Sequence, residues 1–255
     1  MSKPLFSGVG VALVTVFDDD ARVDEIATAE HAARLVGLGI ASVLVAGSTG
    51  EASALSVDER VGLVAAVRKA VPTGVPVIAG SGAPTGRQAA DLTARSVDAG
   101  ADAVLSLSPA GVGDPRPYYE AVAAATDASV LAYHFPKVSA PGVPVALLPD
   151  LPVRGVKDSE GDPTRLLEEL ETYDGEVYVG SAALAVMGGA VGATGAILAL
   201  ANAEPERCVA AFGGEGEAQR ALTAAHLTAS RSFPAGIKGL VADRFGLSAA
   251  ARLGT

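Results

Sequence analysis

The sequence predicts a (β/α)8 TIM barrel with additional C-terminal helices. Eight apolar runs of β-type residues recur along the chain, with helical patterns in most of the gaps between them. The runs are mostly apolar rather than strictly alternating, which suits strands of a parallel sheet covered on both faces. The length of 255 residues fits one such barrel, since α/β barrels of about 250 residues are commonly a single domain. An open doubly wound sheet would need a phosphate-binding turn after its first strand. Here Phe17–Asp18–Asp19–Asp20 follows, and its acidity would repel a pyrophosphate.

The first strand is expected over Val9–Phe17, and Asp24–Leu38 is the first helix, with apolar residues at Ile26, Ala29, Ala33, Leu35 and Val36 and glycines to stop it. Ala41–Ala46 is the second strand. In the helix Ser56–Val71, Ser56 and Glu59 form a capping box. Strands Pro76–Ala79 and Ala103–Leu107 flank the helix Pro84–Ala99, and the helix Pro117–Thr126 leads to the strand Ser129–Tyr133. Short helical stretches at Val145–Leu148, Pro163–Leu170 and Leu184–Gly189 separate the last strands, Val153–Val156, Glu176–Val179 and Gly195–Leu200. Helices Pro205–Phe212, Glu215–Ser232 and Ala235–Phe245 then close one side. With no low-complexity linker, residues 1–255 read as one domain, the barrel over 1–202 and the added helices over 203–255.

Hydrophobic content of 49% against 19% charged residues excludes a disordered chain. A net charge of −10 argues against nucleic-acid and anionic-membrane partners, which select basic patches. It does not exclude a small acidic substrate, because the potential inside a cleft can oppose the overall charge. Cys208 is the only cysteine, so no intramolecular disulfide forms and a reducing, cytoplasmic location is expected. No signal peptide or uncharged membrane-length run is read. The three histidines have no metal-ligand spacing, so no metal site is expected.

Chemistry in such a barrel sits at the C-terminal strand ends and in the loops that follow. Lys157 ends the apolar run Val153–Val156, whereas Lys3, Lys69, Lys137 and Lys238 fall in surface-like or loop-like contexts. An ordinary lysine, with a pKa of about 10.4, is neutral in only about one molecule in 2,500 at pH 7. Burial at a strand end favours the neutral amine, a nucleophile toward carbonyl carbon. The competing reading is a lysine that snorkels to solvent and pairs with Asp158. Gly47–Ser48–Thr49–Gly50–Glu51, after the second strand, offers backbone N–H groups and two hydroxyls as a carboxylate cradle, or is a plain turn. Tyr133 is a candidate proton carrier at the end of the fifth strand, or a packed ring with its hydroxyl in water. His134 should point the opposite way and be structural.

Four segments in order, Gly47–Glu51, Tyr133-x-x-Pro136, Gly155–Ser159 and Gly195–Ile197, resemble the dihydrodipicolinate synthase/N-acetylneuraminate lyase family. The similarity runs from about Val9 to Leu247. It implies a class I, carbon–carbon-bond-cleaving aldolase that joins pyruvate or another 2-oxo acid to Lys157 as a Schiff base. The protonated imine would serve as the electron sink, so neither a metal nor an organic cofactor is expected. Tyr133 would then relay protons, and Ser48 and Thr49 would hold the substrate carboxylate. Ser159, Gly180, Ser181 and Ile197 would complete the substrate site, and a homo-oligomer, dimer or tetramer, is implied. Two departures bear on the substrate. The family's synthases carry a tyrosine pair where this chain has Ala110–Gly111, and an arginine where it has Val138, with Lys137 a poor bidentate substitute beside it. Tyr118 and Tyr119 lie too far along the chain to replace the pair. The segments Lys157–Arg165, Gly180–Ala182 and Ala199–Asn202 look instead like 4-hydroxy-2-oxoglutarate aldolases, with 2-keto-3-deoxy sugar-acid aldolases close behind. Dihydrodipicolinate (4-hydroxy-tetrahydrodipicolinate) synthesis and a non-catalytic 2-oxo-acid-binding barrel are the alternatives.

Overall fold

A computed structural model describes residues 3–253. Eight parallel strands close in sequence order: β1 Gly8–Ala12, β2 Ser42–Val45, β3 Val77–Gly80, β4 Ala103–Leu107, β5 Ser129–His134, β6 Gly155–Asp158, β7 Glu176–Val179 and β8 Gly195–Leu198. β8 returns to β1 with Gly8 opposite Gly195 and Val11 opposite Leu198. The barrel helices are α1 Glu25–Gly37, α2 Val57–Ala70, α3 Gly86–Asp98, α4 Arg116–Ala123, α5 Pro163–Thr172 and α6 Ala185–Val191. A 3-10 turn, Val145–Asp150, takes the place of a helix between β5 and β6. α7 Pro205–Phe212, α8 Gly216–Ala221, α9 Thr223–Arg231 and α10 Ala235–Phe245 follow the barrel.

Strand periodicity sorts side chains into two layers. In β2, Val43 and Val45 pack outward against the helices while Leu44 points into the barrel. In β5, Val130 and Ala132 face outward, and Leu131 and Tyr133 face inward. The inner layer also holds Ile78, Leu105, Tyr178 and Ile197, with Phe6 stacked on Tyr178 at a centroid distance of 4.6 Å. This alternation aims the catalytic candidates: Tyr133 lies opposite Lys157 in register, and Lys157 opposite Tyr178.

Capping is visible in the sequence and present in the fold. Asp24 accepts the N–H of Ala27 at the start of α1, and Ser56 and Glu59 form both bonds of the capping box of α2. Four expectations need correction. The first strand stops at Ala12, because Asn202 and Thr28 side chains take the N–H groups of Val14 and Val16 in place of a neighbouring strand. The sixth strand extends through Asp158, so Lys157 lies within it. The expected helix Glu215–Ser232 is two helices, α8 and α9, separated at buried Leu222. Lys238 is not surface-like: it is 1% exposed and paired with Glu51.

Candidate active site

Lys157 is 3% exposed, and burial alone lowers its pKa from 10.5 to about 7. Its Nζ lies 4.5 Å from the centroid of the Tyr133 ring. The pairing with Asp158 does not occur. Asp158 points to the other face of the sheet, where its carboxylate accepts Arg165 Nε at 2.9 Å and the Glu160 N–H at 2.6 Å. The amine therefore has no carboxylate to hold it charged, and desolvation wins.

Burial pushes the Tyr133 phenol up to about 12, with the neighbouring Ser159 and Ser48 hydroxyls opposing the shift. The phenol thus stays protonated at neutral pH, bracketed by two hydroxyls through which a proton can pass. His134 faces away. Its Nδ1 accepts the Val143 N–H at 2.9 Å, so Nε2 carries the proton toward Glu160, 3.0 Å away. Gly142, at φ +82, is needed here: a Cβ would lie 2.4 Å from His134 Nδ1. His134 is a strut between loops.

After β2 the chain makes a tight turn between Ala46 at φ 52 and Glu51 at φ 59. The Glu51 N–H bonds Ser48 O at 3.2 Å, and Thr15 Oγ1 donates to Gly50 O at 2.7 Å. Among the described residues, the N–H groups of Ser48, Thr49 and Gly50 find no acceptor. Three consecutive free donors beside two hydroxyls are the kind of donor set that anion-binding concavities use.

A cleft of about 460 Å³ opens over Lys157, lined by Thr49, Tyr133, Ser159, Gly180 and Ser181 among others. Ser48 lines an adjoining cleft of about 840 Å³ that shares the Tyr133 wall. Gly180 is close-packed, since a Cβ there would meet Ser159 Oγ at 2.0 Å. Ile197 sits in the inner barrel layer and lines neither cleft. The structure adds wall residues that were not among the site candidates: Phe135, Lys137, Glu160, His226, Phe233 and Ile237. Three of these come from the C-terminal helices and the loop joining them, whose place over the barrel mouth has no local sequence signal. Tyr118 and Tyr119 are buried and line neither cleft, bonded to the Ser106 side chain and carbonyl respectively. Among the described residues no group of three or more His, Cys, Asp or Glu side chains gathers as ligands for a metal ion.

The dihydrodipicolinate synthetase family model matches residues 5–234. The chain belongs to that family. Its activity class is therefore carbon–carbon lyase. A 4-hydroxy-tetrahydrodipicolinate synthase of Natronomonas pharaonis is 37% identical over 87% of this chain and 79% of its own length. The dihydrodipicolinate synthase of Bacillus anthracis superposes with a TM-score of 0.86 at 26% identity, covering 98% of this chain and 92% of that one. The KD(P)GA of T. tenax does so with a TM-score of 0.85 at 26% identity, covering 96% and 90%.

Proposed function

We propose that this protein is a pyruvate-dependent class I aldolase that works through an imine on Lys157. The observation that carries the reading is a buried lysine with no carboxylate partner, register-matched to a buried tyrosine at the mouth of the barrel. The Nζ lone pair adds to the ketone carbon, and the carbonyl oxygen takes a proton to give a carbinolamine. That oxygen leaves as water, and the protonated imine remains. The hydroxyl two carbons from the imine carbon gives up its proton and becomes the aldehyde carbonyl as the bond joining its carbon to the carbon next to the imine breaks. The pair of that bond forms the enamine double bond, the C=N π pair moves onto nitrogen, and the aldehyde departs. The enamine then takes a proton at carbon, and water returns pyruvate and the free amine. Condensation runs the same steps in reverse. Tyr133, with Ser48 and Ser159, supplies and recovers the protons, and the free N–H groups of Ser48, Thr49 and Gly50 hold the carboxylate.

For the second substrate, two readings have support. The curated relatives' names favour 4-hydroxy-tetrahydrodipicolinate synthesis, the reading that the sequence ranked second. The absent tyrosine pair at Ala110–Gly111 and Val138 in place of arginine favour retro-aldol cleavage of a 4-hydroxy-2-oxo acid or 2-keto-3-deoxy sugar acid. A homo-oligomer belongs to the proposal on the family's precedent. A cytoplasmic location suits the buried, free Cys208 and the absence of any described helix long and apolar enough to cross a membrane.

Borohydride reduction with pyruvate should fix one adduct per chain, placed on Lys157 by mass spectrometry and absent from Lys157→Ala. An adduct on Lys137 would remove the assignment. The two substrate readings separate in one assay pair. One arm measures pyruvate consumption with aspartate 4-semialdehyde, the amino aldehyde left when pyruvate is subtracted from the synthase product. The other measures pyruvate release from 4-hydroxy-2-oxoglutarate and 2-keto-3-deoxy sugar acids. Trapping without turnover in either arm would leave a 2-oxo-acid binder.

A further inference from the structure

Glu51 ends the turn that carries the free N–H groups, yet it lines neither cleft and is fully buried. Its Oε1 pairs with Lys238 on α10, and its Oε2 accepts the backbone N–H groups of Arg252 and Leu253, both at 2.7 Å. Lys238 also donates to Ala250 O at 2.7 Å, and its Nζ lies 4.0 Å from the Phe17 ring centroid. The Arg252 guanidinium grips Glu59 at 2.7 and 3.0 Å and donates to Ala54 O and Ala21 O. Residues 250–253 are thus fastened to both the turn and the start of α2, about two hundred residues earlier.

Stability alone is a weak account of this cluster. A buried ion pair gains little over apolar side chains of the same volume, because desolvating both charges offsets their attraction. What the pair and its hydrogen bonds fix is position. Glu51 holds a left-handed backbone that an L-residue adopts only when its surroundings impose it. The carboxylate anchored by Lys238 and the C-terminal segment supplies that imposition, one residue beyond the last free N–H.

We propose that Glu51, held by Lys238 and by the backbone of Arg252 and Leu253, is a positioning residue for the substrate carboxylate. The 250–253 segment then sets the affinity of the Lys157 cleft, which it does not line, although Leu253 reaches the adjoining cleft. The inference rests on the imine reading above.

The test compares borohydride trapping with pyruvate and with acetone, a ketone that has no carboxylate. It uses the full-length protein, Arg252→Ala, which frees the segment, and Glu51→Gln/Lys238→Met, which removes both buried charges together. In both variants the pyruvate concentration for half-labelling should rise roughly ten- to a hundredfold, the range for losing hydrogen bonds to a charged group. Labelling by acetone should not change. A parallel fall with both ketones would mean general loss of structure and overturn the positioning role. An unchanged pyruvate requirement in both variants would overturn it too. A rise in the double variant alone would remove the segment from the mechanism and leave the ion pair. Failure of pyruvate to label the unaltered protein would instead reject the imine reading, and the positioning role with it.

Discussion

At the scale of single residues, the chemistry was legible where it depends on local pattern and illegible where it depends on packing. Lys157 stood out because an ammonium ending an apolar strand has nowhere to be solvated. Asp158 beside it was the rival partner, and strand alternation sends it to the opposite face. The Lys157 shift has a stability consequence of fixed sign. Its pKa is about 7 folded against 10.5 unfolded, so between those values the unfolded chain binds more protons and stability rises with pH. Lys157→Met should therefore be more stable than the unaltered protein near pH 7, by up to about 4 kcal/mol. Urea titrations should show that margin shrinking toward pH 10. A margin independent of pH would mean that the amine is charged in the fold. Tyr133→Phe should lower kcat by roughly 10²–10⁴ on whichever substrate is turned over. It should also slow imine formation, because loss of water from the carbinolamine needs a proton. Near-full turnover would exclude Tyr133 as the proton carrier.

At the scale of elements, the helices with side-chain caps were the easiest to read. The bounds of α1 and α2 follow from Asp24 and Ser56, because capping chemistry is local. The sequence pattern overruns the end of β1 at Ala12, because Leu13–Phe17 is as apolar as a strand. Its backbone groups are met by Asn202, Thr28 and Leu44 O, partners that no local pattern discloses. The turn after β2 was legible as glycines and hydroxyls, but not the anchoring of Glu51 by Lys238. The turn's geometry makes a graded prediction. A Cβ on Gly50 would lie 3.0 Å from Leu13 O and 3.1 Å from Thr15 Oγ1, so Gly50→Val must push the turn off the segment that follows β1. Thr49→Ala removes one hydroxyl and leaves the row of N–H donors. Isothermal titration or trapping with pyruvate should show a much larger loss of affinity for Gly50→Val than for Thr49→Ala. Equal, negligible effects would detach this loop from carboxylate binding.

At the scale of the whole molecule, closure of the barrel was predictable from eight buried strands, but the roof of the site was not. Phe233 and Ile237 reach the Lys157 cleft from beyond the barrel proper, and the two clefts meet at Tyr133, Val138 and Phe233. The loop after β4 bears on assembly. The family's synthases place a tyrosine across a subunit interface from the loop after β4. Here that loop carries Gly111, exposed and at φ +76, with no atom within 4 Å of where a Cβ would be. A neighbouring copy therefore has no phenol at this position to offer. If the proton path runs through Tyr133, Ser48 and Ser159 alone, kcat per chain should not depend on association. Activity followed through serial dilution, with molar mass tracked by light scattering, should stay constant per chain as any oligomer dissociates. A fall in kcat that tracks dissociation would show that a partner supplies a group to the cleft, and the single-chain proton path would have to be abandoned.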